Sequence, residues 1–162
     1  MGIFSRLNTV IKSNLNALVD KAEDPEKLIG QTIIDMKSEM KKAKRELVST
    51  LGSAKRLDKE ADELEEEVAK WEKKAILALK TGDDELARAA LKQKARASKK
   101  SKEVRARAAA TARTVDEMKE TLENVEKKVE DLEARKSSLA SAVRKSREAP
   151  GEGGKFGSET FD

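Results

Sequence analysis

A seven-residue apolar repeat that occurs twice, once on each side of a glycine, limits this chain to very few folds. From Ile33 an apolar or small residue returns at Met40, Leu47, Ala54, Ala61, Val68 and Ala75. A second series holds Met36, Ala43, Thr50, Leu57, Leu64, Trp71 and Ala78. Paired series over about six heptads lay one stripe along a supercoiled helix. The later half repeats the pattern. Val104, Thr111, Met118, Val125, Leu132 and Leu139 form one line, and Ala108, Val115, Leu122, Val129, Lys136 and Val143 the other.

Between the halves lies Thr81-Gly82-Asp83-Asp84-Glu85: a helix-ending glycine, then aspartates suited to cap a new helix. A fold-back there brings Ile33 to Leu132, Met36 to Val129, Met40 to Val125, Leu47 to Met118, Leu57 to Ala108 and Val68 to Ala97. Charges point to the same register. The acidic stretch 58–67 faces Lys99, Lys100, Lys102, Arg105 and Arg107, while Lys37, Lys41, Lys42, Lys44 and Arg45 face Glu117, Glu120, Glu123 and Glu126. Exposed pairs stabilise little, but a slipped register would set like charges together. The expected fold is all-α: a long antiparallel coiled-coil hairpin over 24–149 with its tip near 81–85.

Composition agrees. Charged residues make up 41% of the 162, against 37% hydrophobic, enough to fill a helix–helix seam but not a wide core. With no Cys and no His, thiolate metal sites, disulfides and histidine chemistry are excluded. No run approaches the ~20 apolar residues of a bilayer span. The N-terminus lacks the pattern of a secretory signal, and a cytosolic setting is expected. No Gly-rich phosphate loop or enclosed carboxylate pair stands out, so neither enzyme activity nor a cofactor is expected.

Residues 1–23 read as one amphipathic helix. At 100° per residue, Ile3, Phe4, Leu7, Val10, Ile11, Leu15 and Leu18 fall within an arc of about 140°, interrupted only by Asn14. Arg6 and Lys12 flank that face, where their stems can lie along apolar surface and their charges meet headgroups. The Asp24-Pro25 step separates this helix from the hairpin. Two roles are open and can alternate: insertion into a membrane, or docking on the hairpin or a neighbour.

Off-seam apolar residues near the tip, Ile76, Leu79, Leu86 and Leu91, together with Trp71, suggest lateral contacts between hairpins. Leu139 and Val143 extend past the start of the first hairpin helix and suggest further assembly contacts. Residues 92–113 carry nine bases against Glu103. Three readings stand: a solvated face balanced by 58–67, attraction to anionic membrane, or nucleic-acid backbone binding. Nucleic acid is not expected as a partner, since aromatic residues and recognition motifs are missing there. From Pro150 onward the Gly-rich, aperiodic sequence reads as a disordered tail over 150–162.

Several blocks resemble the phage shock protein A family, which includes the vesicle-inducing protein of plastids and is related to the ESCRT-III superfamily. They are MGIFSRL at the start, NALVDKAEDPEKL at 16–28, WEKKAILAL at 71–79 and DELARAAL at 84–91. The resemblance implies a self-assembling peripheral protein that binds, stabilises and remodels the cytoplasmic membrane under envelope stress, visiting its inner face from the cytoplasm. It implies a lipid-binding role for the opening helix, a homo-oligomer or polymer as rings or rods, and contacts near Trp71 in the polymer. Some members restrain a AAA+ transcriptional activator, so a soluble regulatory hairpin is the alternative expectation. Typical members continue through further helices, whereas glycine follows the hairpin here, which leaves filament geometry open.

Overall fold

In the computed structural model all regular structure among the described residues is helical. The order is α1 (Ile3–Lys12), α2 (Leu15–Asp20), α3 (Pro25–Lys80) and α4 (Asp84–Phe161). The structure describes residues 2–161, with side chains for residues 2–142. Val143 and the tail expected over 150–162 lie outside the residues whose side chains are described.

Local chemistry sets the helix ends. Pro25 opens α3, where its missing N–H costs no hydrogen bond, and the Asp24 carboxylate accepts from the amide of Lys27 at 3.2 Å. At the other end Gly82 has φ +79°, a left-handed conformation that a Cβ disfavours. The Asp83 amide donates to the Ala78 carbonyl at 2.9 Å and that of Gly82 to Leu79 at 3.2 Å, the paired bonds of a Schellman stop. Asp83 then caps α4, accepting from the Leu86 amide at 3.1 Å. One three-residue turn both ends α3 and starts α4.

The chain divides into two compact units, Met1–Lys44 with Glu120–Asp162, and Arg45–Lys119. In the first, Ile29, Ile33, Met36, Met40 and Ala43 of α3 and Leu122, Val125, Val129 and Leu132 of α4 are buried. Lys37 pairs with Glu133 at 2.6 Å and Lys44 with Glu126 at 3.8 Å. Seven residues forward on one helix match seven back on the other, so the pairing is antiparallel without a slip. Ile29 was missed at the sequence level although it stands one heptad before Met36. Lys136, the polar member of its series, is exposed, with the end of its side chain beside Gly30.

In the second unit Ala61, Leu64 and Val104 form a buried cluster with Leu57 packed against it. Val115 and Met118 are buried, while Leu47, Val68 and Trp71 are half-buried. Toward the tip the buried residues are Ala75, Ala78, Ala87 and Ala90, small enough to let two helix backbones approach. The acidic stretch is served by one base rather than five: Arg105 pairs with Asp62 at 2.8 Å, Glu65 at 2.9 Å and Asp58 at 3.4 Å. Hydrogen bonds donated to Asp62 and then to Glu65 hold its guanidinium protonated beyond its ordinary range.

Candidate functional site: the docked N-terminal helices

The expectation of one helix over residues 1–23 is corrected: the segment breaks at Ser13-Asn14. Ser13 is extended (φ −72°, ψ 148°), and the Asn14 side chain accepts from the Ala17 amide at 3.2 Å, capping α2. The single polar interruption of the apolar arc is thus the point where the helix stops and restarts. Asn readily satisfies a first-turn amide, and that local bond competes with helix continuation.

The break resets the helical phase. Ile3 and Leu7 are buried, Leu7 to 1% exposure, and Phe4, Val10, Ile11 and Leu15 are half-buried. Leu18, placed on the apolar face by a continuous wheel, is 57% exposed, and Val19 is buried at 3% in its stead. Arg6 and Lys12 are exposed, as expected of flanking bases. The seat on α3 is the row Thr32, Asp35, Met36 and Glu39, which lines a groove with Leu7, Val10 and Leu15. Those positions are spaced as one helix face. Arg6 reaches Glu39 at 3.9 Å across it.

The seat on α4 is polar and was not read from the sequence. Thr121, Lys128 and Arg135 stand seven residues apart, so they share a face beside the apolar seam. Thr121 donates to Asn8 at 3.4 Å. The Lys128 ammonium donates to the carbonyls of Ile11 and Ser13, each at 2.8 Å. Arg135 donates to the Asn16 side chain at 2.7 Å and to the Asp20 carboxylate. Three successive heptad positions therefore hold α1, the break and α2 in order. The signal was available: a polar heptad line beside an apolar one marks a helix contacted from a second direction.

The groove contains no chemistry beyond this. Among the described residues no cluster of carboxylates could hold a metal ion, and no helix is long and apolar enough to cross a membrane. Of the residues expected to make assembly contacts, Ile76, Leu79, Leu86 and Leu91 are exposed, and Trp71 and Leu139 half-buried. Trp71 has the Lys74 ammonium over its ring at 4.5 Å.

A family model described as the PspA/IM30 family matches residues 2–149, the docked helices, all of α3 and α4 as far as residue 149. The chain belongs to the PspA/IM30 family. It is similar to the membrane-associated protein Vipp1 of Nostoc punctiforme, 34% identical over 143 residues, covering 88% of this chain and 55% of that one. A phage shock protein A homolog of Deinococcus radiodurans is 35% identical over 140 residues, with 86% and 63% covered. The chloroplastic membrane-associated protein VIPP1 of Arabidopsis thaliana is 32% identical over 149 residues, with 92% and 45% covered. The chain thus spans about half to two thirds of the length of these PspA/IM30 relatives.

Proposed function

We propose that this PspA/IM30 chain is a non-catalytic peripheral membrane protein in which residues 2–20 exchange their seat on the hairpin for the lipid interface. The observation that carries this is the docked α1. Its apolar face, centred on Ile3 and Leu7, is buried against the hairpin, while Lys128 closes its C-terminal end and Arg135 holds the following α2. Full burial of a Leu or Ile side chain is worth about 1.5–3 kcal/mol wherever it occurs. A bilayer interface can supply that burial as well as the groove can, so the two states compete closely. The relatives from Nostoc and Arabidopsis are named membrane-associated, which supports the same reading.

In this reading the protein works from the cytoplasm on the inner face of the membrane under envelope stress. Copies assemble side by side through exposed residues near the tip, including Ile76, Leu79, Leu86 and Leu91. The assembled hairpins then stabilise and reshape the leaflet into which α1 wedges. A second reading draws on the same docked state. A hairpin that keeps α1 seated is a soluble regulatory module able to bind and restrain a partner such as a AAA+ activator.

Liposome co-sedimentation with negative-stain imaging separates the two readings, comparing the full chain with one lacking residues 2–20 and with Phe4→Glu. Binding and ordered coats for the full chain alone support membrane remodelling through α1. Soluble particles and no lipid binding by any of the three chains transfer the weight to the regulatory module.

A further inference from the structure

The outward face of α4 in the second unit carries a charge that the N-terminal segment lacks. Residues 1–24 hold three bases and three acids, so their net charge gives insertion little preference for anionic headgroups. Between Leu86 and Val115, by contrast, stand ten bases and one acid, Glu103.

Burial of Ala97, Ser101, Val104 and Ala108 identifies the side of α4 that faces the seam. Lys94 and Arg105 flank that side, and they are the bases of the run that pair with α3: Lys94 with Glu72 at 3.4 Å, Arg105 with Asp58, Asp62 and Glu65. On the opposite side, at 100° per residue, lie Arg88, Lys92, Lys99, Lys102 and Arg113. All five are exposed, and none forms an ion pair among the described residues. Ala95, Ala106 and Ala109 lie between them, so no bulky neighbour holds the charged ends back. The stripe extends about 37 Å at 1.5 Å per residue.

We propose that this stripe is a second lipid contact, which lays the outward face of α4 on the anionic headgroups of a membrane surface. It rests on the membrane reading above but uses residues that α1 does not touch. A row of exposed, flexible Lys and Arg side chains along one face suits an anionic membrane surface, whose attraction fades within a Debye length. A single-stranded nucleic acid fits less well. No aromatic residue between Leu86 and Val115 offers a stacking platform, and the acids of 58–67 in the same unit repel a polyanion that wraps around the hairpin.

The test uses the full chain carrying Lys92→Gln, Lys99→Gln, Lys102→Gln and Arg113→Gln. Vesicles are phosphatidylcholine alone, or phosphatidylcholine and phosphatidylglycerol in equal parts. Affinity for the anionic vesicles is expected to fall by roughly tenfold or more, with binding to neutral vesicles and helical circular dichroism unchanged. The parent's preference for anionic vesicles should weaken with added salt, while the variant's response is shallower. Unchanged anionic binding overturns the proposal. So does an equal loss on both vesicle types, or a loss confined to short RNA while vesicle binding persists. Phe4→Glu, run in parallel, keeps the two readings apart. If it binds both vesicle types as the parent does while the quadruple variant loses the anionic preference, the stripe stands and insertion through α1 fails.

Discussion

Lys128 donates through Nζ to the carbonyl oxygen of Ile11 at 2.8 Å, and the same ammonium reaches the Ser13 carbonyl at 2.8 Å. The last carbonyls of a helix have no intrahelical donor, and the negative end of the helix dipole attracts a cation. One α4 side chain thus closes α1 where the chain breaks, and release of α1 must return those carbonyls to water or carry them into an interface.

Lys128→Met should loosen the seat without disturbing the seam. Hydrogen bonds to a charged donor contribute about 1.5–3 kcal/mol, so the docked state should lose an amount of that order. Hydrogen exchange should quicken across residues 3–19 and stay slow at Val125 and Val129. In the membrane reading, vesicle affinity rises. Unchanged exchange in α1 would show that the apolar groove alone holds it.

Asn14→Leu removes the cap of α2 and fills the gap in the apolar arc. Loss of an N-cap costs about 0.5–2 kcal/mol, here charged to the broken form alone. The expected outcome is one continuous helix over 3–20 when lipid is present, seen as greater lipid-induced helicity and tighter vesicle binding than for the parent. A weaker response would mean that the break itself is needed at the membrane.

Gly82→Ala tests the turn. No atom lies within 4 Å of the position a Cβ would take, so the cost is backbone strain at φ +79° and not a clash. A loss of about 1–2 kcal/mol in thermal or denaturant unfolding is expected, with Gly82→Asn milder, since Asn tolerates this region. Equal stability of all three chains would show that the turn relaxes to another form.

Arg105 and Asp62 should be coupled. Asp62 is exposed and Arg105 half-exposed, so each single substitution, Arg105→Gln or Asp62→Asn, should lower the melting temperature slightly. The pair should lower it by less than the sum. The coupling should shrink as salt is added. Full additivity at low salt would mean that the contact contributes only to register.

The hairpin was legible in the residues because two periodic signals, apolar and charged, give the same pairing. Ile33, Met40, Val125 and Leu132 required no knowledge of anything but the seven-residue spacing and the glycine between the halves. Gly82 and Asp83 announced the turn for local reasons, a left-handed backbone and a first-turn cap. The amphipathic character of residues 2–20 was equally plain. Its interruption at Asn14 was visible as a blemish on the wheel but not as a break, since a wheel assumes that the helix continues.

Tertiary structure alone decided where that segment goes. Leu18 and Val19 exchange places because the phase resets at Asn14, and no single-helix projection contains that reset. Lys128 and Arg135 look like two more charges on a charged helix until α1 and α2 lie against them. Periodicity determines which side of a helix is apolar, because that depends on neighbours along the chain. Which surface covers that side depends on free energies of residues more than a hundred positions apart, so contact between Lys128 and Ile11 was a question only the folded chain could answer.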